Sequence, residues 1–143
     1  MPASPVHVPP VPAHWLLPAD PASVPRARRA VTEALPAGCR PQLRDDLRLL
    51  ASELVTNAVR HHSCADRGQL VELVLWPADG HYWVAVSDGG PALSLAPADP
   101  GPDSCGGRGL LLVDAVSAAW AVVPRPARGK SVVAGIRLGR HTS

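Results

Sequence analysis

The stretch from about Pro41 to His62 constrains the fold most. Leu43, Leu47, Leu50, Leu54 and Ala58 recur at helical spacing, which predicts a long amphipathic helix with one face committed to a core. At roughly 100° per residue, Asp46, Glu53, Asn57 and Arg60 fall together on a polar strip beside that stripe. Polar groups flanking a buried face are placed to line a cleft against a sheet. Within the strip, Glu53 and Asn57 lie one turn apart on the same face. A carboxylate and a neutral oxygen ligand so spaced can hold a metal ion and activate a hydroxyl or a water. Glu and Asn are equally at home on an ordinary solvated helix face, so the pair needs company.

The rest of the chain supplies elements that such a helix can cover. His14–Leu17 reads as a short edge strand stopped by Pro18. Ser23 offers an N-cap for a helix running to about Leu35, and Pro25 is early enough in it to be tolerated. Leu70–Trp76 and Tyr82–Ser87 are rich in β-branched and aromatic residues, with Asp79-Gly80 as the turn of an antiparallel hairpin. Residues 91–105 carry Pro, Ala, Asp, Gly and Ser with little periodicity, as in a mobile lid or an exposed loop. Gly109–Ala118 then reads as a helix. Trp120–Pro124 and Ser131–Leu138 form a last hairpin around residues 125–130. The order β-α-α-β-β-loop-α-β-β predicts an α+β fold: a two-layer α/β sandwich, its sheet mixed but mostly antiparallel, with helices on one face.

At 143 residues the chain has room for one core. We therefore divide it into a proline-rich tail, residues 1–13, and a single domain, residues 14–140. A net charge of +2, with no basic run or aromatic ladder, gives no indication of nucleic-acid binding. No apolar run reaches the roughly 18 residues needed to span a bilayer, and no leader pattern opens the chain. A cytoplasmic protein is expected. Cys39, Cys64 and Cys105 are odd in number and include no Cys-x-x-Cys pair, which favours free thiols. His61-His62-Ser63-Cys64 is poorly spaced for a closed metal site. All basic side chains are arginine except Lys130.

Three glycine-bearing segments follow the long helix. Gly106-Gly107-Arg108-Gly109 precedes a helix, where exposed amides and the helix dipole attract phosphate. A flexible loop that merely caps the helix is the plain alternative. The run matches neither a P-loop nor a dinucleotide fingerprint. Asp88 at a strand end can accept a hydrogen bond from an exocyclic amine, with Gly89-Gly90 letting a flat base approach; an Asp-Gly turn is the alternative. Gly129-Lys130-Ser131 could be only a hairpin turn. With Glu53 and Asn57, the ensemble points to a nucleotide site.

In that order these segments resemble the GHKL ATPase superfamily with its Bergerat ATP-binding fold. More narrowly, the chain is similar to small stand-alone proteins related to anti-sigma-factor serine/threonine kinases. The resemblance covers about Leu17 to Leu138. It is carried by Asp20-Pro21-Ala22-Ser23-Val24 with Arg26-Ala27-Arg28-Arg29, by Ser52–His61, and by Gly107-Arg108-Gly109-Leu110. It implies that Asn57 coordinates Mg2+ bridging the phosphates of ATP, and that Glu53 is the general base. It further implies that Asp88 reads the adenine amine above Gly90. Gly107, Arg108, Gly109 and Leu110 would surround the phosphates with Arg60 nearby, and Ser131 would support Asp88 through a hydroxyl or a water. The implied partners are a sigma factor and an anti-sigma antagonist protein, and homodimers are common among similar proteins. Two features depart from the family pattern. Its first glycine box reads Asp-x-Gly-x-Gly, whereas here the last position is Ala92, and the following loop is rich in proline. Two functions stay open: a serine/threonine protein kinase acting on an antagonist, or a non-catalytic regulator that captures a partner when ATP is bound. A histidine-kinase fragment is disfavoured for want of a phospho-acceptor helix.

Overall fold

The computed structural model describes residues 12–60, 70–88, 105–124 and 129–138, with backbone only for 105–110. The elements are β1 (Ala13–Pro18), α1 (Ser23–Ala34), α2 (Pro41–Arg60), β2 (Leu70–Ala78), β3 (His81–Asp88), α3 (Cys105–Val116), β4 (Ala119–Pro124) and β5 (Lys130–Arg137). The tail of residues 1–11, His61, His62 and Cys64, and the segment 89–104 with Gly90 and Ala92 lie outside the described residues.

Helix α2 follows its periodicity closely. Leu43, Leu47, Leu50, Leu54 and Ala58 are all buried, joined by Ala51 and Val55. Full burial of each leucine is worth roughly 1.5–3 kcal/mol. The helix packs on β2, β3 and β5 and against both other helices, so it is the central strut of the helical layer. Helix α1 buries Ser23, Ala27 and Val31, one residue per turn, against α2 and β1.

The five strands lie in the order β1-β2-β3-β5-β4. Every neighbouring pair is antiparallel, so the sheet has no parallel component where a mixed one was expected. The reason is connectivity: α3 carries the chain from β3 past the position of β5 to the edge, and β5 returns between them. Asp79 and Gly80 turn the β2–β3 hairpin with φ of 52° and 72°. A two-residue loop with both φ positive matches the twist of the strands, which is why Asp-Gly serves there.

Strand alternation sorts side chains onto two faces. Val71, Leu73, Leu75, Val84, Val86, Val132 and Ala134 face the helices and are buried. Leu16, Leu70 and Val123 alternate to the other face and stay exposed.

Three boundaries differ from expectation. Ser23 is the first residue of α1 and not its cap; its hydroxyl donates to the Pro18 carbonyl at 2.6 Å, while Asp20 accepts from the Ala22 amide at 2.7 Å. The turn at Asp20-Pro21 closes on itself and takes over the cap's work. Helix α3 starts at Cys105, so Gly106–Gly109 lie in its first turn instead of before it. First-turn amides have no partner within a helix, and glycine is least harmful there. Lys130 belongs to β5, not to the turn preceding it.

Candidate functional site

Asn57 is 3% exposed, sunk into the helical layer rather than flanking it. Its Nδ2 is the buried side-chain polar atom without a hydrogen-bond partner among the described residues. Leaving a buried amide unsatisfied costs about 1–3 kcal/mol, and such groups in a well-formed core call for a reason. Glu53, one turn earlier, is half-buried, and Arg60 is exposed in the last turn of α2. Of the polar strip expected beside the core stripe, Asn57 alone lies fully under the sheet.

Opposite α2, β3 and β5 end together. Asp88 pairs with Lys130 and Ser87 with Ser131 in the antiparallel register. Asp88 and Lys130 are in line with Val86 and Val132, hence on the helix-covered face. The Lys130 ammonium donates to both Asp88 carboxylate oxygens at 3.3 Å, and both side chains are nearly inaccessible. Sequence reasoning had no role for this lysine; its signal was its position one residue beyond a glycine and in phase with Val132 and Ala134.

Ser131 corrects an expectation. It alternates to the opposite face, where its hydroxyl shares a hydrogen bond with that of Ser87. Among the described residues, Lys130 is a group that supports Asp88 directly. The residue implied by resemblance and the one in contact differ by a single step along a strand, which reverses the face.

The backbone of Gly107, Arg108, Gly109 and Leu110 lies in the opening turns of α3, whose last residue is Val116. Helix α3 packs on α2, so its polar N-terminal end belongs to the same helical layer. The first amides of such a helix point outward without intrahelical acceptors, and the dipole makes that end attractive to anions. Ser117 closes the other end by donating to the Val113 carbonyl at 2.6 Å, and Trp120 Nε1 donates to Asp114 at 2.8 Å.

Residues 17–134 match the family described as a histidine kinase-like ATPase domain. The chain belongs to that family. Its fold agrees with the GHKL superfamily, whose domains bind ATP, usually with Mg2+. No curated protein matches the chain. Among the described residues, no helix is long and apolar enough to cross a membrane.

The described residues suit a magnesium-nucleotide on physical grounds. They hold no cluster of three or more His, Cys, Asp or Glu that could cage a cation. Mg2+ bound through substrate phosphates needs only one or two protein oxygens. The Asn57 carboxamide offers a hard oxygen, and its nitrogen finds no acceptor among the described residues. Were Mg2+ bound with the nucleotide, Asn57 would be the residue to hold it, and the ion would neutralise phosphate charge.

Proposed function

We propose that this ATPase-family domain is a serine/threonine protein kinase of the anti-sigma-factor type. In this reading it phosphorylates an anti-sigma antagonist protein and also binds a sigma factor. The observation that carries it is the half-buried Glu53 one helical turn before the buried, partly unsatisfied Asn57. A carboxylate at that place can take the proton of an incoming serine hydroxyl. The serine oxygen then bonds to the γ-phosphorus, the bond from that phosphorus to the β,γ-bridging oxygen breaks, and ADP departs. In phosphoryl transfer positioning and charge neutralisation supply most of the acceleration, so few groups suffice. Asp88 accepts from the base amine over Gly90; Gly107, Arg108, Gly109 and Leu110, with Arg60, attend the phosphates.

The test is transfer of labelled γ-phosphate from Mg2+-ATP to candidate antagonist proteins. Transfer by the wild type and a loss of at least 100-fold in Glu53→Ala is expected, within the usual range for general-base removal. No transfer, or equal transfer by the variant, rejects the kinase.

A second reading is favoured by Ala92, which stands where the family's glycine box ends in glycine. The protein would then be a regulator that captures its partner only when ATP is bound, without turnover. Capture would survive Glu53→Gln and disappear in Asp88→Ala. Equal partner affinity with and without ATP eliminates this reading.

A further inference from the structure

Behind the carboxylate assigned to the base stands Lys130, the only lysine in a chain whose other basic side chains are all arginine. We propose that Lys130 is a positioning residue for base recognition. Its ammonium orients the Asp88 carboxylate so that this group distinguishes a purine carrying a 6-amino group from one without it. The inference rests on the reading of Asp88 given above and adds the residue that makes it selective.

Four observations support it. The two residues are direct cross-strand partners at the point where β3 and β5 end, on the face that α2 covers. The ammonium lies 3.3 Å from each carboxylate oxygen. Charge-assisted bonds to a single oxygen are shorter, about 2.7–2.9 Å. The cation therefore straddles the group and restrains it as a whole. An ionised carboxylate has roughly four lone-pair sites, so it can accept from donors in addition to a straddling ammonium.

Burial adds the second argument. Both side chains are 3% exposed or less. A buried ion pair is commonly no more stable than an apolar pair of the same volume. Stability alone thus gives no reason for a lysine here.

The choice of residue is the third. Among the described residues the arginines are at least partly exposed, whereas Lys130 is buried. An ammonium is a compact point charge, whereas a guanidinium is a broad planar fork. An enclosed place between two strand ends takes the former. Finally, Ser131, the neighbouring candidate for the same task, is turned to the other face and engaged with Ser87.

The experiment compares two nucleotides on the full chain by calorimetry with Mg2+: ATP, and purine riboside 5′-triphosphate, which lacks only the 6-amine. The wild type should prefer ATP by roughly tenfold or more, the worth of one hydrogen bond to a charged group. Lys130→Met should bring the two within about threefold of each other. A merely structural lysine would weaken both nucleotides alike and leave their ratio unchanged, and that result overturns the inference. Lys130→Gln serves as a second variant of different polarity. The wild type supplies a measurement independent of any variant's folding, because 15N-lysine labelling yields a single side-chain ammonium signal. ATP should shift that signal and the amine-free analogue should not; equal responses overturn the inference. A wild type that binds neither nucleotide refutes the ATP-site reading and this inference together. A wild type that binds ATP, with an unchanged ratio in the variants, refutes this inference alone.

Discussion

The β3–β5 ladder has two ends of opposite character. At one end Tyr82 pairs with Ile136 and Trp83 with Gly135. The Trp83 ring lies over Gly135, and its Nε1 donates to the Ala78 carbonyl at 3.0 Å. At the other end Ser87 meets Ser131 and Asp88 meets Lys130, four polar side chains in two consecutive rungs. The same two strands therefore set a half-buried aromatic ring on a glycine at one end and bury an ion pair at the other. Apolar contact there stabilises the fold without further requirements. The charged end stabilises only while both partners are present.

The contrast breaks most readily at the charged end. Lys130→Ala removes the cation from a buried carboxylate and should cost roughly 3–5 kcal/mol in urea unfolding. Asp88→Leu combined with Lys130→Met should recover most of that loss; failure to recover would mean the pair contributes to stability beyond its own charges. An amine-reactive label should modify the native protein at its N-terminus and spare Lys130 until unfolding. At the aromatic end Gly135→Ala should cost about 1–3 kcal/mol, the usual range for overpacking. A Cβ there would stand 2.5 Å from Trp83 ring carbons. Trp83→Leu in the same chain should relieve that cost, and it would not if backbone strain were the cause.

Smaller effects sharpen the division between faces. Ser131→Ala removes the hydroxyl partner of Ser87 and should cost about 1 kcal/mol. It should leave nucleotide affinity untouched, since Ser131 faces away from Asp88; a loss of affinity would place it back in the site. The smallest effect concerns alkaline pH. Burial, and to a lesser extent the Cys39 thiol nearby, push the Tyr82 phenol above its ordinary 10. A folded value raised above the unfolded one means that the native state keeps its proton longer. That contribution is complete below about pH 10 and is lost as pH rises through the raised value. Tyr82→Phe should flatten the stability profile in that range, measured by unfolding at stepped pH.

Much of this was legible in the chain. The leucine stripe of α2, the Asp79-Gly80 hairpin and the edge strand around Trp15 each follow from a local rule. So did Asn57, Glu53 and Asp88 as residues to watch, although their roles rest on resemblance and proposal. The burial of Asn57 was not legible, because a polar residue at the margin of a stripe reads as solvated until a sheet covers it. The helix start at Cys105 was missed because glycines in a first turn look like a loop. Lys130 was missed for a related reason: a lysine after a glycine reads as an exposed turn.

Periodicity in the sequence determined by itself which segments become helix and strand, and which face of α2 enters the core. Local periods depend only on neighbours in the chain, so they survive without tertiary context. The phase of β5 was decided by the fold alone. A period of two permits either Lys130 or Ser131 to face the helices. A buried ammonium is tolerable only because β3, distant in sequence, brings the Asp88 carboxylate to meet it.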